Sequence, residues 1–173
     1  TRSARLVQKG DQKIRLENVM SAAVEFPDMD YEMIHLSGAW ARERYVKTRK
    51  LEMGIQAVQS LAGTGSSSEQ NPFIALKRPH TTEDTGEVFG FSFVYSGNFL
   101  AQVDVSTYEM TRVMMGINPQ GFSWELSRDE EFQTPEVVMV YSDKGLNGMS
   151  QAYHRLYRDR LMRGKWRNHA RPI

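Results

Sequence analysis

Cysteine is absent from this sequence of 173 residues, so the fold contains no disulfide bond and no thiolate metal site. A charge excess is absent too, because 22 Lys and Arg and 21 Asp and Glu give a formal net charge of +1. Nucleic acids and anionic membranes attract proteins through a strong basic excess, so we expect neither as a partner. No apolar run approaches the roughly 20 residues that span a bilayer. The composition predicts a single ordinary globular domain.

The signatures of common catalytic and metal sites are also missing. The four histidines, His35, His80, His154 and His169, lack the HxxxH or HxH spacing of a metal site. The Gly- and Ser-rich segment 63–68 has neither the shape of a GxSxG nucleophile elbow nor the Lys of a phosphate-binding loop. We therefore expect isolated histidines, a plain loop at 63–68, and no metal site.

Alternation of apolar and polar residues is the strongest pattern that is present. The aromatic side chains of Phe89, Phe91, Phe93 and Tyr95 fall on one face of a strand. A Ser-Gly-Asn turn separates this strand from a second alternating run that starts at Phe99. Two such runs joined by a short turn of this composition predict a β-hairpin.

Shorter runs of the same character predict further strands at 5–7, 13–16, 19–26, 33–36, 42–48, 55–61, 73–76, 111–117, 122–126 and 137–141. Turn residues separate them, and Pro27 ends one run because proline cannot donate to a strand ladder. Many short strands between turns are typical of a β-sandwich. The predicted fold class is therefore all-β dominated, an antiparallel β-sandwich with one C-terminal amphipathic helix.

One segment departs from the strand pattern. Between 147 and 162, apolar residues recur at helical spacing, at Met149, Tyr153, Leu156, Tyr157 and Leu161. Gly164 stands where a helix C-cap is expected. We predict a sandwich domain at 1–144 and, at 145–173, a helix and a connector that leads towards a further domain. The missing initiator Met and the final connector lead us to expect that both ends are cuts in a longer protein.

Carboxylates are the first candidates for catalysis, because glycosidases need two of them facing each other across the scissile bond, roughly 5–10 Å apart. Asp104 lies on the polar side of a predicted strand, and residues 129–131 form the densest acidic cluster. A charge run of this kind favours a solvated loop. Nothing in the sequence pairs either candidate with a partner.

Trp40 is the second candidate, as a possible sugar contact. It stands between two predicted strands, after Gly38 and just before Arg42, Glu43 and Arg44. An exposed indole there can stack on the apolar face of a sugar while the arginines bond hydroxyls. A core Trp at a bend fits the spacing equally well, so both interpretations stay open at this point.

Residues 36–44, which include Trp40, resemble a motif in the N-terminal domain of glycoside hydrolase family 36 α-galactosidases. Three further stretches resemble the same family. They are Ser66-Ser67 with 71–73, the strand region 86–99, and the helix and its tail from 149 to 173. The four motifs follow the family's order and cover nearly the whole chain from about Phe26 onward.

The resemblance implies a parent protein with an N-terminal β-supersandwich, a central β/α barrel and a C-terminal β-domain, of which this chain is part of the first. The family's nucleophile and general acid are aspartates of the barrel, so the resemblance implies no catalytic residue here. Because the retaining mechanism requires both carboxylates, the isolated chain is expected to be inactive. The parent is expected to hydrolyse terminal α-galactosyl residues of melibiose- and raffinose-type oligosaccharides. It would be a cytoplasmic homo-tetramer without a metal or organic cofactor.

The resemblance also implies that Trp40 binds substrate, while Arg42 holds the loop in shape. The leading hypothesis is therefore an accessory and assembly domain that shapes the substrate site and the subunit contacts of an α-galactosidase. One alternative is a stand-alone carbohydrate-binding module or lectin-like sandwich. Another is a compact glycosidase that uses Asp104 or the acidic cluster at 129–131.

Overall fold

The computed structural model describes residues 1–63 and 69–170. Within this part the chain forms the strands β1 Arg5–Val7, β2 Ile14–Leu16, β3 Met20–Phe26, β4 Glu32–Ala39, β5 Arg42–Lys50, β6 Gly54–Gln59, β7 Gln70–Lys77, β8 Val88–Val94, β9 Phe99–Val105, β10 Thr111–Ile117, β11 Trp124–Leu126, β12 Glu131–Gln133 and β13 Glu136–Ser142. Helix α1, Gly145–Leu156, continues into a π-helical turn at Tyr157–Leu161, and a short 3₁₀ helix covers Lys165–Arg167. Apart from Gly63, the predicted loop at 63–68 lies outside the described residues.

Two antiparallel sheets form a sandwich. One has five strands in the order β13-β8-β7-β4-β5, and the other has four in the order β3-β10-β9-β6. Side chains from alternating positions of both sheets fill the space between them, including Met33, Ile74, Leu76, Phe91, Phe93, Phe99, Val103, Val113, Met115 and Val137. Burying one side chain such as Phe99 contributes about 1.5–3 kcal/mol. The predicted fold class, an antiparallel sandwich with one helix, is confirmed.

The predicted hairpin between the runs that start at Phe89 and Phe99 is wrong. Strand β8 pairs with β7 and β13, whereas β9 pairs with β6 and β10, so the chain crosses between sheets at this turn. Phe91, Phe93 and Phe99 all lie in the same core. Alternation shows which face of a strand is buried, and strands that oppose each other across a core alternate just as neighbours in one sheet do.

Helix α1 covers the outer face of the five-stranded sheet. Its side chains Met149 and Tyr153 pack on residues from four strands of that sheet, namely Ile34, Ala75, Val88 and Val138. The hydroxyl of Tyr153 donates to the carbonyl oxygen of Val138 at 3.1 Å. Gly90 permits this close approach, because a Cβ there would lie 2.7 Å from the sulfur of Met149. The five-stranded sheet is therefore covered on both faces over β13, β8, β7 and β4.

The helix begins and ends earlier than the sequence pattern predicts. Its α-helical part stops at Leu156, and Leu161 is exposed rather than packed. The π-helical turn explains this, because its wider turn rotates later positions off the apolar stripe. Gly164 has a φ of +75° but precedes the 3₁₀ helix instead of capping α1. Across residues 1–63 and 69–170, no helix combines the length and the apolar character needed to cross a membrane.

Two short ribbons, β1 with β12 and β2 with β11, complete the strand pairing. Strand β12 is missing from the predicted strands, because its three residues continue the polar pattern of the acidic cluster at 129–131. Its pairing with β1 joins positions such as Arg5 and Gln133 that are far apart in sequence. A local pattern carries no signal for such a pair.

Arg78, just after β7, fixes the loop between β3 and β4. Its guanidinium nitrogens lie 2.6 and 3.1 Å from the two carboxylate oxygens of Asp28, and it stacks 4.0 Å from the ring centre of Tyr31. Its Nε also lies 3.4 Å from a carboxylate oxygen of Glu87. The hydrogen bonds from Arg78 lower the pKa of Asp28. This forked pair and its stacking hold the loop against the sheet end.

Replacement of Tyr153 by Phe should test the helix contact. The change removes one buried hydrogen bond without altering the packing, and we expect the free energy of unfolding to fall by about 1–2 kcal/mol. Tyr157→Phe is the matched control, since its hydroxyl makes a more exposed contact with Ser92. Chemical denaturation of the two variants should separate them, and equal losses would contradict this role of Tyr153.

Candidate functional site

Trp40 projects from the tip of a tight hairpin. Ala39 pairs with Arg42, which leaves Trp40 and Ala41 as the turn between β4 and β5. Ala41 has a φ of +64°, and its N–H donates to a carboxylate oxygen of Glu43 at 3.1 Å. The side chain of Trp40 is among the most exposed large apolar groups, with a relative accessibility of 84%. The interpretation of Trp40 as a core residue is therefore wrong.

A bulge directly behind the turn requires glycine. Ser37 pairs with Tyr45, after which the register shifts and Gly38 alone lies opposite Glu43 and Arg44. Arg44 takes a φ of +63° to accommodate the extra residue. A Cβ on Gly38 would lie 2.8 Å from the Cα of Glu43. The close approach of the two strands, and with it the direction of the turn, depends on the missing side chain of Gly38.

A surface cleft of about 430 Å³ lies beside the turn and is lined by Ser37, Gly38, Ala39, Arg42, Tyr45 and Lys47. Tyr45 supplies an exposed aromatic ring, while Arg42 and Lys47 supply N–H donors. An aromatic surface with donors at its rim is the chemistry that binds hydroxyl-rich or anionic ligands. The residues nearest to Trp40 therefore form a polar site with an aromatic wall.

A line of hydrogen bonds runs beneath this cleft across three strands. Arg49 of β5 donates from Nε to His35 Nε2 at 2.8 Å, and His35 Nδ1 lies 2.7 Å from the hydroxyl of Ser37. The hydroxyl of Ser37 donates to Gln70 of β7 at 3.3 Å. Because Arg49 can only donate, His35 Nε2 accepts, and the ring proton stands on Nδ1. Each of these bonds therefore has a defined direction.

His35 is neutral in this setting. Its side chain is 3% exposed. Burial, and then the nearby charges of Arg49 and Lys47, lower its pKa below the usual value. A protonated ring would lose the bond from Arg49 and would add a charge beside two cations. The neutral tautomer is the form that fits the network.

Strand β5 is the edge of the five-stranded sheet, and every one of its residues is exposed. It carries five cations, Arg42, Arg44, Lys47, Arg49 and Lys50, against one acid. Charged side chains on an edge strand discourage pairing with foreign strands. The same charges also leave the edge able to meet an acidic or hydroxyl-rich surface.

The acidic candidates Asp104, Asp129 and Glu131 each lie next to a cation. Asp129 binds Lys9 at 2.8 Å, and Glu131 forms an ion pair with Arg5, both at the surface. Asp104 lies on β9 opposite Arg112, away from the cluster at 129–131. Within residues 1–63 and 69–170, no three His, Asp or Glu side chains gather closely enough to hold a metal ion.

Sequence reasoning singled out Trp40 but did not identify His35 as part of its surroundings. The spacing of two residues between His35 and Ser37 places both on one face of a strand, and this was the available signal. Their partners Arg49 and Gln70 come from separate strands. The pairing of those strands had to be known first.

Gly38→Ala should disturb the hairpin. The added methyl group has no room, and overpacking of this kind costs roughly 1–3 kcal/mol of unfolding free energy. Gly10→Ala is the matched control, because the new Cβ would meet only the side chain of Gln8, at 3.5 Å. Thermal unfolding of the two variants measures the difference. An unfolding midpoint of Gly38→Ala equal to that of the original chain would refute the proposed close contact.

The free energy of unfolding should decrease as the pH is lowered, because His35 is protonated more readily in the unfolded chain than in the folded one. The folded state holds its pKa below the ordinary value of about 6.5, so the unfolded state binds more protons at lower pH. The free energy of unfolding should therefore decline as pH drops from about 6.5 through the lower pKa of the folded state. Asp28 adds its own loss only below its ordinary value of about 3.9.

Denaturation of the original chain, His35→Gln and His80→Gln at about pH 7.5, above the ordinary histidine value, and at about pH 5, below it, checks this. His35→Gln should flatten the pH dependence, and His80→Gln, at an exposed position, serves as the control. The same slope in all three proteins would show that His35 does not titrate as described.

Comparisons with known proteins agree with the fold. The profile of the Glycosyl hydrolase family 36 N-terminal domain matches residues 1–127, and the Melibiase profile matches residues 131–173. The second profile begins before β13, an outer strand of the five-stranded sheet, and so includes part of the sandwich. The division at 144 and 145 therefore stays a prediction.

Several relatives match the chain over its length. Alpha-galactosidase AgaA of Geobacillus stearothermophilus is 58% identical over 173 residues, which are 100% of this chain and 24% of that protein. Alpha-galactosidase 1 of Pediococcus pentosaceus is 45% identical over the same shares. A crystal structure of an AgaA variant in complex with stachyose has a TM-score of 0.95 and 56% identity, over 98% of this chain and 23% of that one. The chain thus spans about a quarter of its relatives' length, and it belongs to the N-terminal domain family of glycosyl hydrolase family 36.

Proposed function

We propose that this chain is an accessory and assembly domain of a retaining α-galactosidase. The whole protein would hydrolyse terminal α-galactosyl residues of melibiose- and raffinose-type oligosaccharides, with its catalytic carboxylates in a barrel outside this chain. The names of the relatives support this activity, and the AgaA variant was crystallised with stachyose. The surface ion pairs of Asp129 and Glu131 agree with a non-catalytic role for the acidic cluster.

Trp40 is the proposed substrate contact of this domain. The observation that carries the proposal is its exposed ring at the tip of a tight turn, beside a cleft that offers Arg42 and Lys47 as donors. An aromatic side chain gives a large contact area at a low cost in conformational entropy. A ring held on a hairpin can therefore contribute binding energy to a sugar without taking part in bond cleavage.

The exposed edge strand is the proposed assembly surface. Strand β5 pairs on one side only, with β4, and it presents the apolar side chains of Tyr45 and Val46 to solvent. Contact with another part of the whole protein would cover this edge. In the proposed assembly the parent is a cytoplasmic homo-tetramer, and the segment 145–173 connects the sandwich to the catalytic barrel.

Trp40→Ala in the full-length galactosidase should weaken the use of substrate and leave the fold intact. Removing an exposed aromatic anchor costs roughly 1–2 kcal/mol of binding, so we expect kcat/KM for raffinose to fall about 5- to 30-fold. Most of the change should appear in KM. Steady-state kinetics with melibiose and raffinose measure it.

Tyr108→Ala is the matched control for this substitution. Tyr108 is equally exposed, at 87%, in the turn between β9 and β10 of the other sheet. Its replacement should leave the kinetics unchanged. If Trp40→Ala behaves like Tyr108→Ala with every galactoside, the proposed substrate contact is wrong.

A stand-alone carbohydrate-binding module is the second candidate, because Trp40, Tyr45 and the cleft all belong to this chain. Calorimetric titration of the isolated chain with galactose, melibiose and raffinose separates the two functions. Submillimolar binding that is lost in Trp40→Ala would favour the module. Absence of binding would favour a domain that acts only next to its barrel.

A further inference from the structure

The backbone ladder is interrupted on both sides of the residues that lead into the Trp40 turn. Towards β5, the register shifts between Ser37 and Ala39. Towards β7, it shifts between His35 and Ser37. Pairing is therefore regular on both sides of β4 only up to His35, because the ladder with β5 stays regular to Ser37 but the ladder with β7 does not. Between His35 and the turn there is a place for further restraints.

Side chains supply these restraints. The hydrogen bond from His35 to Ser37 spans the interruption, and the bond from Ser37 to Gln70 joins the same point to β7. The backbone N–H of Gly38 donates to the carbonyl oxygen of Glu69 at 3.0 Å. Ser37 is thus held by side-chain hydrogen bonds to His35 and Gln70. Gly38 is held by a backbone hydrogen bond to Glu69, the residue before β7.

We propose that His35 is a positioning residue for Trp40 and acts through its hydrogen bond to Ser37. The proposal rests on the function proposed above, in which Trp40 contacts the substrate. His35 is buried, whereas Trp40 is exposed five positions later in the same hairpin. The buried imidazole ring of His35 is fixed in position by its surroundings, whereas the indole of Trp40 is exposed to solvent.

Histidine suits this position because it accepts at one ring nitrogen and donates at the other. Nε2 accepts from Arg49, Nδ1–H donates to Ser37, and the hydroxyl of Ser37 is then free to donate to Gln70. A part-buried series of hydrogen bonds in which each donor meets an acceptor restrains its members, since reorientation of the buried His35 ring leaves a polar group unpaired. The direction of the Trp40 turn is fixed by that restraint.

Two substitutions at His35 separate its two bonds. The amide nitrogen of Asn occupies the place of Nδ1, so His35→Asn keeps a donor for Ser37 and loses the acceptor for Arg49. The amide oxygen of Gln can occupy the place of Nε2, so His35→Gln keeps the acceptor for Arg49 and loses the donor to Ser37. Ser37→Ala removes the next link. His80→Gln, an exposed histidine, is the control.

The first experiment follows the motion of Trp40 in the chain itself. Trp124→Phe and Trp166→Phe leave Trp40 as the only indole, because the sequence has three Trp. Time-resolved fluorescence anisotropy should show a larger fast component in His35→Gln and Ser37→Ala, and an unchanged one in His35→Asn and His80→Gln. Circular dichroism confirms that each variant is folded. No change in His35→Gln and Ser37→Ala, or an equal change in His35→Asn, would overturn the positioning role.

The second experiment measures the consequence for substrate in the full-length galactosidase. His35→Gln and Ser37→Ala should raise KM roughly three- to tenfold and leave kcat within about twofold. Both effects should vanish when combined with Trp40→Ala, because they act through that ring. Effects that persist without Trp40 would overturn the inference. If Trp40→Ala itself leaves the kinetics unchanged, the proposed function fails, and the anisotropy result still decides whether His35 positions the ring.

Discussion

Burial of both faces of the five-stranded sheet is the constraint on which the rest of the structure depends. One face meets the four-stranded sheet around residues such as Phe91, and the other meets helix α1 through Met149 and Tyr153. Strands β8, β7 and β4 must therefore carry apolar side chains on both faces, which is why they contribute to both hydrophobic clusters. Strand β5 lies beyond this cover and buries no residue. The boundary between covered and uncovered sheet is where Trp40 and its cleft lie.

This boundary also accounts for the polar network. The inward face of β4 passes from the apolar core to the rim of the cleft within a few residues. Met33 lies in the core, and Ser37 lines the cleft. His35 stands between them, buried yet next to an open edge. A buried polar group needs partners, and the adjacent strands supply them as Arg49 and Gln70. The features that end the core thus also hold the residues before the turn.

Local patterns in the sequence predicted most strands and their buried faces, but neither β12 nor the strand partners. The run at 111–117 coincides with β10, whose buried and less buried positions alternate from Thr111 to Met115. The turn after β8 resembled a hairpin turn, yet it joins two sheets, since alternation is the same in both arrangements. Trp40 stayed undecided between core and surface. Its exposure follows from a turn in which Ala41 takes a positive φ, a conformation that sequence assigns to Gly or Asn rather than to Ala.

The proposed division of roles between this domain and a catalytic barrel rests on what each kind of residue can contribute. A retaining mechanism needs one carboxylate as nucleophile and one protonated acid, held about 5 Å apart. Asp129 and Glu131 are exposed and form surface ion pairs with Lys9 and Arg5. Binding energy from parts of a substrate remote from the reacting bond still accelerates catalysis, because it offsets the cost of orienting that bond. In the proposed function, the indole of Trp40 would provide such energy without acid or base chemistry. What this domain gives the proposed reaction is therefore placement, and the accuracy of that placement depends on Gly38 and on the bonds beneath it.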